Sequence, residues 1–177
     1  KRNVLIASIQ NVALERFKVL MQFVGLKKPP TEIECFSSLR SLYQVDEENV
    51  AIIDIGAVSS KLYISRKGLL MRMYRIRAGG VLATEAIAEK LAIDFSSAET
   101  KKCTLTRESS DFSEVKRIHD DTYNRAFREF NQVIKEYENK TGLKITTIYM
   151  SGGGSSFPGI DSHLKSVLEK EVLLANP

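Results

Sequence analysis

Three features predict an α/β fold for this chain of 177 residues. Short β-prone apolar runs alternate with segments of helical period. Two of those runs end in glycine turns, Asp54-Ile55-Gly56 and Ser151-Gly152-Gly153-Gly154. Nothing repeats, so the chain is not a solenoid, and its ligand loops are expected at the carboxyl ends of strands.

Element by element, Val4–Ser8 is a short apolar run that predicts a buried strand. Asn11 is placed as an N-cap for a helix whose Leu14, Phe17, Leu20, Met21 and Val24 recur at helical spacing, with Gly25 as its stop. Lys27-Lys28-Pro29-Pro30 predicts a turn, Thr31–Cys35 a strand, and Ser37 the cap of a helix through Leu39, Leu42 and Tyr43. Glu47-Glu48-Asn49 interrupts the apolar pattern and sets a boundary. Beyond it, Val50–Asp54, Lys61–Ser65 and Leu69–Ile76 predict three consecutive strands, the last two joined through Arg66-Lys67-Gly68.

Gly79-Gly80 ends this meander and a helix is expected from about Leu82 to Leu91. A shorter one follows from about Ser96 through Lys102. Cys103–Glu114 is polar and expected to be exposed. Tyr123, Ala126, Phe127, Phe130, Val133, Ile134 and Tyr137 then form the strongest helical stripe in the chain, stopped at Thr141-Gly142. Ile145–Met150 predicts a strand, and Pro158 is expected to open a last helix through Leu164, Val167 and Leu168.

Composition narrows the function classes. The 26 basic and 22 acidic residues are interleaved, and their net charge of +4 forms no nucleic-acid stripe. Cys35 and Cys103 stand far apart and outside any CxxC spacing, which fits a reducing cytoplasm. His119 and His163 are equally isolated, so neither a zinc site nor a catalytic triad is expected. No apolar run reaches the length of a membrane span. The first residue is Lys1 rather than Met, so the chain is taken as part of a longer protein.

Chemistry concentrates at the two turns. Asp54 closes an apolar strand, where its charge needs compensation, and a hydrated Mg²⁺ or a water network would supply it. Gly56 lets the main chain bend toward a phosphate, and Ser59 and Ser60 add hydroxyls. Alone, Asp-x-Gly also fits a plain strand-ending turn. The three glycines 152–154 carry an entropic penalty and call for a close backbone approach, for which a flat purine is one candidate and a flexible loop the other. Glu99 and Lys102 share a helix face, either as a surface ion pair or as a grip on a ribose hydroxyl and an adenine edge.

The ordered set DIGAVSSKLYI, RAGG with TEAIAEKL, SSAETKK and IYMSGGGSSFPGIDSHL resembles the actin-like ATPase superfamily. Within it the chain is similar to the PilM family of type IV pilus assembly proteins, with the FtsA cell-division family as near relative. NVLIASIQNVALERFKVLMQFVGLK and PTEIECFSSLRSLYQ resemble the end of that family's first lobe, whereas Lys101–Thr122 aligns poorly.

The resemblance implies a ribonuclease H-like lobe with a mixed sheet and flanking helices. Residues 1–46 would be the remnant of the first lobe and 47–177 the second lobe, with a helical subdomain at about 81–120. Asp54, Gly56, Ser59 and Ser60 fall on the second phosphate loop, and Gly79 and Gly80 on a turn facing the nucleotide. Glu99 and Lys102 match the helix that contacts ribose and adenine, Gly152, Gly153 and Gly154 the adenosine motif, and Gly159 the interlobe glycine. The implied cofactors are ATP and Mg²⁺, the ion reached from Asp54 through water.

The implied partner is the N-terminal tail of a PilN-like inner-membrane pilus protein, which would hold a cytoplasmic protein at the membrane. An FtsA-like filament protein and a kinase of the same fold are the alternatives. No copy of the first phosphate loop is present and no dedicated base is evident. Little or no ATP binding and no detectable hydrolysis are therefore expected of this piece alone, and exposed former interface predicts self-association.

Overall fold

The computed structural model describes residues 8–26, 32–42 and 49–175. Two compact units divide at 33/34. The first contributes α1 (Asn11–Phe23), which ends through Val24 and a left-handed Gly25 at φ +73°. Asn11 is the first helical residue and not the cap: that place belongs to Gln10, without a side-chain capping bond. Of the strand expected over Val4–Ser8, residues 4–7 lie outside the described residues and Ser8 is not in a strand; the turn at 27–30 also lies outside them.

The second unit is built on a five-stranded sheet of order β3-β2-β1-β4-β5. Its strands are β1 (Asn49–Ile55), β2 (Ser60–Arg66), β3 (Leu69–Ile76), β4 (Thr147–Ser151) and β5 (Glu171–Leu174). The β1–β2–β3 meander is antiparallel, while β4 pairs parallel with β1 and β5 parallel with β4. The sheet is therefore mixed. Parallel pairing demands crossover connections, and helices provide them. Between β3 and β4 run α3 (Gly80–Leu91), α4 (Phe95–Thr104) and α5 (Phe112–Thr141); α6 (Ile160–Leu168) links β4 to β5.

Alternation in the strands divides the apolar side chains between two faces. Ala51, Ile53, Ile55, Leu62, Ile64, Ile148 and Met150 join the core under α3, α5 and α6. The apolar stripe of α5 supplies the other half, with Tyr123, Phe127, Phe130 and Ile134 all fully buried. Tyr74 on β3 meets Phe130 edge-on at 6.2 Å and donates to Glu129 Oε2 at 2.7 Å, which ties the edge strand to α5. The opposite face carries Tyr63, whose phenol is pushed up by burial and by the carboxylate of Glu34.

Glu34 belongs to α2 (Glu34–Leu42), and its Oε2 accepts from Lys61 Nζ at 2.6 Å. The strand expected over Thr31–Cys35 is thus overturned at its described end. The apparent alternation there gives way to Cys35, Leu39 and Leu42, which lie at i, i+4 and i+7 and bury one helical face. Ser37 sits inside that helix instead of capping it, and its hydroxyl donates back to Glu34 O at 2.8 Å.

Three further differences concern the second half. Leu105 is buried between α4 and α5, so the segment expected to be exposed is anchored in the core. Helix α6 begins at Ile160, behind Gly159 at φ +85°, and not at Pro158. Strand β5 was not anticipated because its four residues follow a helix without a turn signal; Val172 alone of the four is buried. Among the described residues no helix is long and apolar enough to cross a membrane.

Candidate functional site

The first turn is a hairpin end held from both sides. Gly56 N–H donates to Ser59 O at 3.1 Å, while Gly56 O and Ala57 O accept from Gly80 N (3.0 Å) and Val81 N (2.8 Å). Helix α3 thereby satisfies its first orphan donors on the turn itself. Gly79 makes this docking possible, since a Cβ there would lie 2.5 Å from Ala57 O and 2.6 Å from Gly56 O.

The glycine corner leaves β4 directly beside that turn, because Asp54 and Ser151 are register partners on adjacent parallel strands. Gly152 at φ +85° has no room for a side chain: a Cβ would run into Asp54 Oδ1 and lie 2.6 Å from Ile55 O. A Cβ on Gly154 would meet Ile55 Cγ2, whereas Gly153 opens onto empty space. The close approach demanded by the triple glycine is thus supplied by the first turn at two positions of the three. The two turns touch along one wall, and they do not face one another across a gap.

The acid and the two serines take structural partners. Lys61 Nζ stands 3.5 Å from Asp54 Oδ2 and also holds Glu34, so the charge at the end of β1 is balanced by a lysine of the chain. Ser60 Oγ donates to Ala78 O at 2.5 Å, and Ser59 Oγ accepts from Arg75 Nε at 3.1 Å. Asp54, Ser59 and Ser60 do not line the cleft described next. Among the described residues no group of three or more His, Cys, Asp or Glu converges as a metal site.

A cleft of about 580 Å³ opens where these parts meet. Gly56, Ala57 and Gly80 line it from the first turn, Gly153 and Gly154 from the corner, and Glu99, Lys102 and Cys103 from α4. Glu99 and Lys102 are an ion pair at 2.7 Å, but not a plain surface one. Lys102 Nζ also donates to Gly80 O at 2.9 Å and to Thr84 Oγ1 at 2.6 Å. Glu99 accepts from Thr84 as well, and from the Cys103 thiol at 3.3 Å. Lys102 and the Thr84 hydroxyl, in that order, hold the Glu99 carboxyl below its ordinary range.

The inner end of the cleft is apolar and includes Leu105, Phe157, His119 and Tyr123. His119 stacks flat on Phe157 with 3.6 Å between ring centroids. Burial, then the charge of Lys102, pushes the imidazole down to about 3. His119 is therefore neutral at neutral pH, and its depressed folded-state value fixes the sign of a prediction. Its contribution to stability is complete above about 6.5 and falls as pH drops toward the folded value. His119→Phe keeps the stack and should flatten the acid limb of a stability–pH profile between pH 6.5 and 4.5, by an amount that rises to about 1 kcal/mol per pH unit at its lower end. An unchanged slope in urea titrations would contradict this.

Of the residues expected at the site, Gly56, Gly80, Glu99, Lys102, Gly153 and Gly154 line this cleft, whereas Asp54, Ser59, Ser60, Gly79 and Gly152 do not. Sequence reasoning missed Thr84, which lies one turn after Gly80 and so faces α4, and the inner ring of His119, Tyr123 and Phe157. Phe157 follows the corner after two serines, Ser155 and Ser156, and that proximity is the available signal.

A mixed sheet whose adjacent parallel strands end in touching turns, with α3 and α4 closing the side, is the architecture of the actin-like ATPases. Residues 3–177 match the family described as Type IV pilus assembly protein PilM. The chain belongs to that family. Among solved structures, a PilM–PilN type IV pilus biogenesis complex aligns with TM-score 0.77 and 22% identity over 93% of this chain. MreB5 of Spiroplasma citri bound to AMPPNP aligns with TM-score 0.71 and 16% identity over 96% of this chain and 61% of its own. The archaeal actin homologue Ta0583 in complex with ADP gives 0.62 and 14%, over 86% of this chain and 52% of its own. The chain spans 48% of the length of the chain that it matches in that complex. Comparison with curated proteins by sequence gave no match.

Proposed function

We propose that this chain is the nucleotide-binding lobe of an actin-fold scaffold for type IV pilus assembly. The observation that carries the proposal is the single cleft shared by Gly56-Ala57, Gly80, the Glu99–Lys102 pair and Gly153-Gly154 in a member of the PilM family. An adenine nucleotide fits this lining: Gly153 offers bare backbone, Glu99 an ionised acceptor, and the inner end an apolar bed. We assign residues 47–177 to the second lobe and 1–46 to the end of the first.

ATP would lie with its base and ribose between α4 and the glycine corner and its phosphates toward Gly56 and Gly80. Gly159, whose Cβ position faces Lys116 Cε at 2.7 Å, packs α6 onto α5 at the far side of the corner. Mg²⁺ is a hard cation that takes oxygen ligands and retains water. With Lys61 beside it and no position on the cleft lining, Asp54 is suited to a water-mediated contact and not to direct ligation. The titratable side chains that line the cleft are Glu99, Lys102, Cys103, His119 and Tyr123, and none stands as a free base. Binding with at most slow hydrolysis follows, and the bound nucleotide acts by biasing the arrangement of two lobes.

The partner we assign is the N-terminal tail of a PilN-like inner-membrane protein, which brings a cytoplasmic scaffold to the membrane. The test uses the full-length protein. Calorimetry with ATP and ADP should give saturable binding, and a pull-down should retain the pilus-protein tail peptide over an FtsA-partner tail peptide. Preference for the cell-division peptide would transfer the protein to the FtsA-like role, and absence of nucleotide binding would remove the cleft's assignment.

A further inference from the structure

On the nucleotide reading proposed above, we infer that Thr84 is a positioning residue that makes this cleft select a ligand with a donating ribose hydroxyl. Hydrogen counting leads there. A lysine ammonium has three hydrogens, and the three acceptors of Lys102 are Gly80 O, Thr84 Oγ1 and Glu99 Oε2, at 2.9, 2.6 and 2.7 Å. Thr84 has a single hydroxyl hydrogen and lies within reach of both Gly80 O and Glu99 Oε2. Both acceptors also take a hydrogen from Lys102, and the Thr84 hydrogen belongs to the carboxylate because that bond is the charge-assisted one.

The consequence is a face with acceptors and no spare donor. Glu99 Oε2 is occupied by Lys102 and Thr84, while Oε1 faces only the weakly donating Cys103 thiol at 3.3 Å. Glu99 is the most open member of the group, with 44% of its side chain exposed against 14% for Lys102, and Thr84 is fully buried. A ligand lying along α4 therefore meets a carboxylate oxygen that accepts, and a lysine whose hydrogens are all in use. A ribose hydroxyl can donate to that oxygen; a deoxyribose lacks the group. Thr84 sets this polarity without touching the ligand, by keeping Lys102 turned toward Gly80 and Glu99 held by two donors.

The test compares ATP with 2′-deoxy-ATP and 3′-deoxy-ATP by calorimetry on the full-length protein, for the native chain, Thr84→Val and Thr84→Ser. The native protein should bind ATP about tenfold more tightly than at least one deoxy analogue, the scale of a hydrogen bond to a charged acceptor. Thr84→Val keeps the shape, removes one of the two donors that hold the Glu99 carboxylate in place and should reduce that preference to less than about threefold. Thr84→Ser should restore it. A Thr84→Val protein that melts lower but keeps the full preference would show a packing role only and overturn the inference. So would equal affinity of the native protein for ATP and both deoxy analogues, with the nucleotide reading intact. Failure of the native protein to bind ATP at all would remove that reading and this inference together.

Discussion

Gly152→Ala is expected to lower the stability of the sheet unit by about 4 kcal/mol, because two independent penalties fall on one residue. The φ of +85° with ψ of 163° is a conformation that only glycine adopts without strain, about 1–3 kcal/mol for another residue. The new methyl would also press into Asp54 Oδ1 and Ile55 O, and overpacking adds about 1–3 kcal/mol. The neighbours at fault are backbone and a strand-end carboxylate, so relief requires separating β4 from β1. With domain stabilities of about 5–15 kcal/mol, a fall in melting temperature of roughly 8–16 °C should follow. Gly142→Ala is the control. It has φ +72° and nothing within 4 Å of its Cβ position, so strain acts alone at about 1 kcal/mol. Equal losses from the two substitutions would mean that the clash at Gly152 is not real.

Gly153→Leu should do the reverse. Nothing lies within 4 Å of a Cβ built there, and the residue lines the cleft, so stability should change by less than about 1 kcal/mol. The added side chain would occupy the space assigned to the nucleotide. A loss of tenfold or more in ATP affinity, about 1.4 kcal/mol, is expected. Calorimetry on a variant shown by thermal melting to be folded makes the comparison. Unchanged affinity would place the nucleotide elsewhere, while a large drop in melting temperature would mean that Gly153 is needed for the turn.

These opposite outcomes at neighbouring glycines show what the sequence could and could not convey. The strands from Val50 to Ile76 and the long helix were legible because their side chains repeat at the period of the element that they form. The corner was legible as a corner. What no periodicity records is which neighbour each glycine accommodates, since Ile55 reaches Gly154 only through the parallel pairing of β1 with β4. The same holds for Asp54, whose need for a counter-charge was plain but whose partner, Lys61, is its cross-strand mate. Ser59 and Ser60 carried the right chemistry for a phosphate, yet long-range bonds to Arg75 and Ala78 claim their hydroxyls. Helix α2 was misread at its start because two turns of helix were too short to outweigh a local alternation.

The pair at Glu99 and Lys102 illustrates a third limit. Spacing placed both on one face, and the structure keeps them together, but their chemistry is set by Thr84 from the preceding helix. Such a network links the α4 side of the cleft to the Gly80 carbonyl, and Gly80 N–H in turn holds the first turn at 3.0 Å. The α4 end and the first-turn end of the cleft are therefore mechanically continuous.

The central claim is that the touching turns and the α4 pair form one nucleotide site. Hydrogen exchange of the full-length protein with and without ADP tests it most directly. Joint slowing is expected in peptides covering Gly56-Ala57, Glu99–Cys103 and Gly153–Phe157, with α5 beyond Tyr137 unaffected. Saturable ADP binding that leaves the Gly153 peptide and the Glu99 peptide exchanging at their free rates would contradict it.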